Sequence, residues 1–467
     1  MPWDAIHCGP PRLVTLTRLL VMVEVHGPIA AAGSSLPFRS AHNRASSLYL
    51  DLALFGYRED EFFIRGEVTV RDPDGQVIAD ATRYNTRLLV RRPAEPERFT
   101  GTVHLEPFHM LSEDTPAWTS SHRYITRRGD AWIGVTVNSG ALRPSDSSLP
   151  GGVVHLKSVD PARYADLHLE RFEPPALPER QGPLGFDPDL MRRRMAYANA
   201  QGHEIVSQLA ALLKTGAAGP LLAGRNVKRI VAAGWSQTGV FWRGYLGNGH
   251  HDRDRLPDGR PPFDGYLVAV APGPSVRPSD AALVHLLSEG EAAGVLTDAI
   301  GVEDDSDTPM VRGYEVPATF HNWYATARAA ARHNAGDTSV HNDRPWDVLV
   351  HAVLDAIDRW LRDGTPLPRA ARIERDEMAP DGIARDEFGN ARGGLRTPWV
   401  DVPVARYLPR CSCSPIFGSM ERFDATTFAR LYGDAATYAA RFERAVDEMQ
   451  AARWLLPEDV ARVVASS

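Results

Sequence analysis

The sequence predicts an α/β fold: a mostly parallel central sheet covered by helices, with a β-rich N-terminal extension and a C-terminal addition. Three observations carry this expectation. Short, mostly apolar runs at residues 229–233, 266–270 and 283–287 are of the kind that a parallel sheet buried on both faces requires. Proline-free helical patterns surround them, most plainly at 189–214. Finally, the run 229–233 passes through a tight turn into a helix-like pattern at 237–246, giving strand, turn and helix in succession.

Taken in order, residues 13–25, 47–55 and 62–70 read as strands, the last closed by the turn signal Asp72-Pro73-Asp74-Gly75. They form the extension, residues 1–83. The apolar run 13–25, followed by Ala30-Ala31-Ala32, has some likeness to a signal peptide. Arg18, Glu24 and His26 interrupt it, and Val21, Val23 and Val25 alternate with Met22 and Glu24 as in a strand, so a cytoplasmic location is expected rather than export. Runs rich in β-branched residues at 84–90, 100–106 and 132–137 start the main sheet, and the core is assigned to residues 84–368. In 189–214, Met195, Ile205, Leu209 and Leu212 recur at helical spacing until Gly216. Residues 345–362 form an amphipathic helix with Val348, Ala352, Ile357 and Leu361 facing inward. The C-terminal addition, 369–467, is irregular and Pro/Gly-rich through Tyr407, then helical over 427–465.

Composition narrows the function. With 43% hydrophobic and 24% charged residues among 467, the chain sits in the ordinary globular range. A net charge of −7 lacks the basic surplus that a phosphate backbone attracts, so nucleic acid is not an expected partner. No uninterrupted apolar run reaches about 18 residues, so no membrane span is expected. Cys8, Cys411 and Cys413 do not make a disulfide framework, and no second ligand pair completes a zinc site around the latter two; buried or half-buried thiols in a reducing compartment are expected. His250, His251, Asp252 and Asp254 superficially resemble a metal cluster, but they fall in a Gly/Asp/Arg/Pro-rich stretch and read as a solvated insertion. No phosphate-binding glycine motif is present. Neither a metal nor an organic cofactor is expected.

The chemistry concentrates at Ile230-Val231-Ala232-Ala233-Gly234-Trp235-Ser236-Gln237-Thr238-Gly239. A nucleophilic serine presented on a sharp strand-to-helix turn needs small residues two before it and near two after it, because strand and helix crowd there. Gly234 meets the first need. The second position holds Thr238, with Gly239 one further on, a departure from G-x-S-x-G that leaves the strand-turn-helix context intact. A serine hydroxyl also needs a base oriented by a carboxylate, in the chain order serine, acid, histidine. Ser288-Glu289-Gly290-Glu291 places two carboxylates just beyond a strand end, where active-site groups collect in open α/β sheets. Glu291 is the favoured acid, lying a few residues past the strand, and Glu289 is the alternative. His321 follows the next strand, Val311–Val316, and is the candidate base. For the oxyanion, the N–H of Gln237 is expected as one donor, with a second from Asn138-Ser139-Gly140 after the third core strand, Asn138 being the candidate.

The segment Gly234-Trp235-Ser236-Gln237-Thr238-Gly239 resembles the elbow of a bacterial family of α/β-hydrolase domain-containing proteins whose members read G-[YW]-S-Q-T-G. Residues 84–93 and 99–106 are similar to that family's first core strands, and residues 386–398 to its G-N-x-x-G-G-[IVL]-R-x-P segment. The likeness covers most of the chain and departs most before Tyr84. It implies the α/β-hydrolase fold, Ser236 as nucleophile, Glu289 or Glu291 as acid and His321 as base. The irregular segment 389–398 is expected to cover the mouth of the site, so that Arg396 and Trp399, with Trp235 beside the nucleophile, are the expected substrate-binding residues.

These readings point to a serine hydrolase that cleaves small-molecule carboxylic esters through an acyl-enzyme on Ser236. The alternatives are a catalytically inactive hydrolase-fold binding module and a cofactor-free acyltransferase, in which an alcohol replaces water as acyl acceptor.

Overall fold

The computed structural model describes residues 23–38, 50–110, 113–142, 155–175, 188–273, 276, 280–294, 310–322, 340–411 and 416–467. Nine strands form one sheet: β1 (Glu24–His26), β2 (Tyr57–Arg71), β3 (Val77–Pro93), β4 (Thr102–Pro107), β5 (Ala131–Val135), β6 (Arg229–Trp235), β7 (Gly265–Ala269), β8 (Ala282–Ser288) and β9 (Val311–Val316). Their spatial order is β1-β2-β3-β5-β4-β6-β7-β8-β9. The first three neighbouring pairs, through β3 and β5, are antiparallel, and every pair from β5 to β9 is parallel. The predicted class, a mostly parallel sheet covered by helices, therefore holds.

The two-residue period of β6 divides its side chains between two cores. Val231, Ala233 and Trp235 face the side packed by helices α1 (Pro116–Arg128) and, later in the chain, Asp347–Asp363. Ile230 and Ala232 face the side packed by α2 (Pro188–Lys214) and α3 (Gln237–Gly247), where Ile205, Leu209, Phe241 and Trp242 are fully buried. Burial on both faces is why these strands read as continuous apolar runs.

Helix α1 has no counterpart among the predicted elements. Most of its residues are buried, including Ser120, Ser121, His122 and Thr126, so no polar face marks it as amphipathic. Its hydroxyls bond back to their own helix, Ser120 Oγ to the Pro116 carbonyl at 2.9 Å and Thr126 Oγ1 to the His122 carbonyl at 2.8 Å. The orphan N–H groups of Ala117 and Trp118 donate to the buried Glu106 carboxylate, each at 2.8 Å.

Several expectations are corrected. The strand expected at 47–55 is, over its described part, a 3₁₀ turn at Leu52–Phe55: Asp51 accepts from the Ala53 N–H and Gly56 closes the turn at φ +68°. Most of the expected strand 13–25 lies outside the described residues; its end is β1. The boundary placed at 83/84 falls inside β3, which pairs with β2 from Pro93 to Val77, so extension and core share one sheet. The boundary at 368/369 is bridged likewise, since β10 (Val340–His341), β11 (Ala405–Leu408) and β12 (Ser419–Arg422) form a second sheet in the order β10-β12-β11. Leu395, Trp399, Tyr407 and Trp454 bury into the same cluster as the core. Cys411 is disulfide-bonded, not a free thiol, and Cys8 and Cys413 lie outside the described residues. Among the described residues no helix is long and apolar enough to cross a membrane.

Candidate active site

Ser236 stands between β6 and α3 with φ +55° and ψ −121°, a conformation that costs a non-glycine residue about 1–3 kcal/mol and persists only where its surroundings impose it. The surroundings combine the turn's own neighbours with β7 and the residue pair after it. A Cβ on Gly234 would lie 2.3 Å from the Thr238 carbonyl oxygen, and one on Gly239 would lie 2.7 Å from the Ala271 Cβ. Between them, fully buried Thr238 accepts from the Trp235 N–H at 2.8 Å and donates to the Trp235 carbonyl at 3.0 Å. The helix position without room for a Cβ is thus 239. Residue 238 is free to carry a hydroxyl that ties the turn, which explains the departure from the simple motif. The Ser236 N–H is anchored to the Ala269 carbonyl of β7 at 2.9 Å.

The candidate acid and base lie beyond the ends of β8 and β9. Ser288 caps a short helical turn, Glu289–Ala292, in a capping box whose return partner is Glu291: Glu291 Oε2 accepts from the Ser288 N–H at 3.1 Å. Its other oxygen, Oε1, is 2.8 Å from His321 Nδ1, and His321 Nε2 is 2.7 Å from Ser236 Oγ. Glu291 is fully buried, whereas the His321 side chain keeps 11% exposure. A carboxylate on Nδ1 favours the tautomer in which Nε2 can accept the serine proton. Three side chains separated by 55 and 30 residues in the chain are thereby brought into one hydrogen-bonded line.

Glu289 is placed differently. It is fully buried, its Oε2 accepts from the Ala318 N–H at 2.7 Å, and Arg385 lies 2.9 Å from Oε1. Burial raises its pKa against the opposing pull of Arg385 and the Ala318 N–H. It contacts the loop that carries His321, not the imidazole.

The Gln237 N–H, first in α3, has no acceptor within the helix, as a donor toward an oxyanion requires. The turn that holds Asn138 lies beside the loop after β4, since a Cβ on Gly140 would lie 3.8 Å from the Met110 carbonyl oxygen. Asn138 Oδ1 accepts from Gly140 within its own turn at 2.8 Å, whereas the loop joined to the elbow follows β4: the Met110 N–H donates to Gln237 Oε1 at 3.2 Å. Topology is the reason. β4, not β5, is the strand next to β6, although β5 comes later in the chain. A chain crossover of this kind leaves no local mark in the sequence.

The three expected substrate-binding residues each make protein contacts. Trp235 is buried and its indole N–H donates to the His321 carbonyl at 2.9 Å, steadying the base from behind. Trp399 is buried edge-on against Trp346, with ring centroids 4.8 Å apart, and donates to Ser466 Oγ at 3.0 Å. Arg396 pairs with Asp401 and donates to the Val400 carbonyl at 3.1 Å. The segment 389–398 packs along β9: the Leu395 N–H donates to the Glu315 carbonyl at 2.8 Å, and a Cβ on Gly394 would lie 2.9 Å from that same oxygen. Buried Asn390 bonds the Ala405 carbonyl and the Tyr407 N–H of β11, so this irregular stretch is a brace.

His250 and His251 are buried, contrary to the solvated insertion expected of them. Each sits in a group within reach of a metal ion, Glu204-His250-Asp254 and His251-Asp252-Asp280. In each, an arginine already pairs with the carboxylates. Arg253 lies 2.9 Å from Glu204 and 2.8 Å from Asp254, and Arg255 lies 2.8 Å from Asp280. In the first group the carboxylates are partly buried, in the second Asp252 and Asp280 are exposed, and in both the chain supplies a cation of its own.

A family model described as an alpha/beta hydrolase domain matches residues 25–465. No curated protein matches the chain. Among solved structures it is similar to a siderophore hydrolase from Aspergillus nidulans at 13% identity and TM-score 0.25, covering 52% of this chain and 73% of that one. It is also similar to a bacterial brefeldin A esterase at 14% identity and TM-score 0.23, covering 52% and 53%. Superpositions this partial leave the chemistry to the side chains themselves.

Proposed function

The chain belongs to the alpha/beta hydrolase domain family, and on that footing we propose that it hydrolyses carboxylic esters through an acyl-enzyme on Ser236. Ser236 Oγ attacks the ester carbonyl carbon while His321 Nε2, 2.7 Å away, takes its proton. Glu291, 2.8 Å from Nδ1, stabilises the imidazolium that forms. The Gln237 N–H serves the developing oxyanion. Collapse of the tetrahedral intermediate expels the alkoxide, which receives the proton from His321. Water then attacks the acyl-enzyme with His321 again as base, releasing the acid and restoring Ser236.

The observation that supports this reading is the Glu291–His321–Ser236 line on a strained turn, since strain kept at one serine with a base in reach has a use in nucleophilic chemistry. The test is a panel of p-nitrophenyl esters of increasing acyl length, run beside lactones and amides. Ser236→Ala and His321→Ala are expected to lower kcat by about 10⁴-fold or more, and a fluorophosphonate probe is expected to label wild type but not Ser236→Ala. Comparable turnover in purified Ser236→Ala would remove the proposal, and a probe-silent wild type would favour the inactive binding module. Ester products formed from an added alcohol would favour the acyltransferase.

A further inference from the structure

We infer that Glu289 is a positioning residue for His321, acting through the backbone of Ala318, and that Arg385 is its remote counter-charge; the inference rests on the reading of His321 as the base. Glu289 and Glu291 lie two residues apart on one helical turn and reach the same loop at two heights. Glu291 meets the imidazole, and Glu289 meets the peptide three residues before it. That peptide is in an unusual state. Ala318 has φ +65°, a left-handed conformation disfavoured for a residue with a Cβ, directly after Pro317. Both of its polar groups are held: the N–H by Glu289 at 2.7 Å and the carbonyl by Asn342 Nδ2 at 2.7 Å. The next residue is tied as well, for Thr319 Oγ1 accepts from the Glu289 N–H at 3.3 Å and donates to the Val316 carbonyl at 2.6 Å. Pro317 followed by a residue at positive φ is the pattern of a type II turn, closed by Thr319 on the Val316 carbonyl, and the contacts from Glu289 and Asn342 fix that turn from outside and with it the aim of His321 at Ser236.

A fully buried carboxylate needs a partner charge. Arg385 supplies it, lying 2.9 Å from Glu289 and itself held by Asp381 and by the Gly389 carbonyl at 3.0 Å. Gly389 has φ +84° and belongs to the glycine-rich segment 386–398. That segment's turn therefore delivers a charge to the base-bearing loop, a use for it that covering the substrate does not supply.

The experiment compares Glu289→Ala, Arg385→Met and Arg385→Lys with wild type, using p-nitrophenyl butyrate and active-site titration with a fluorophosphonate, so that kcat is expressed per reactive serine. A displaced base is expected to lower kcat per site by about 10- to 100-fold in the first two variants, with KM within about twofold, and Arg385→Lys is expected to restore most of the loss. Asp459→Asn serves as comparator: it removes a buried ion pair away from this loop and is expected to lower Tm with kcat per site unchanged. If Glu289→Ala lowers only Tm, with kcat per site within about twofold of wild type, the inference is overturned. Should Glu289→Ala fail to fold, Arg385→Met decides, because Arg385 is partly exposed, and an unchanged kcat per site there overturns the inference equally. Failure of the esterase reading would show in the wild type, whereas failure of this inference shows only in variants of an active wild type.

Discussion

The two turns that present the nucleophile and the base are held in opposite ways. At the elbow, Gly234 and Thr238 shape the strained Ser236 from within the turn, and β7 adds only the Ala269 carbonyl on the Ser236 N–H and the crowding at Gly239. At the candidate base, Ala318 also has a positive φ but is clamped by Glu289 and Asn342, 29 and 24 residues away, while the Trp235 indole, 86 residues away, holds the His321 carbonyl. A strained turn can thus be built from its own neighbours or imposed by distant elements. Only the first kind leaves a motif.

This contrast can be broken most sharply at the elbow. Gly234→Ala puts a Cβ 2.3 Å from a backbone oxygen that cannot move without displacing α3. It is expected to destabilise the protein by about 3 kcal/mol or more and to abolish probe labelling, as read by denaturant melts and fluorophosphonate reactivity. An Ala variant with wild-type stability would show that the turn is not locally crowded. Thr238→Val, of similar volume, removes both hydrogen bonds to Trp235 at a buried turn, so a loss of about 1–3 kcal/mol is expected with kcat reduced. Unchanged melting and kcat would mean that the two glycines alone shape the turn.

The smallest effect on activity is expected at the C-terminal tie, which serves stability and touches neither turn. Burial by itself would raise the pKa of Asp459, but hydrogen bonds from His351 and Arg127 outweigh it and hold the carboxyl well below the usual carboxylate range. A carboxylate whose pKa is depressed by folding contributes stability above its unfolded pKa of about 4, and that contribution fades as pH falls toward the lower folded value. Melts of wild type should therefore show stability declining below about pH 4, with about 2 kcal/mol of the decline absent in Asp459→Asn. Identical pH dependence in both proteins would remove Asp459 from the account.

The same distinction explains what was legible beforehand. The strands of the parallel sheet, α2, α3 and the elbow carry their signal in periodicity or in adjacent residues, and they were found within a few positions. Helix α1 was hidden because polar side chains that bond to their own helix can be buried without a partner elsewhere. Asn138 was chosen for its place in the chain, whereas the loop near Gln237 depends on β4 lying beside β6. Trp235, Arg396 and Trp399 were assigned to substrate from their nearness to motifs, yet each spends its polar group on a protein contact.

By itself, the sequence determined that a serine follows a buried strand at a turn where glycine is obligatory, and that two carboxylates and a histidine come after later strands in the order a relay requires. The tertiary structure alone decided which carboxylate meets the imidazole, because Glu289 and Glu291 are both acids on one turn and differ only in the direction each faces once β8 and β9 are paired. Local chemistry is written in neighbouring residues, but direction across a sheet is set by strand order, and strand order emerges only when the chain has folded.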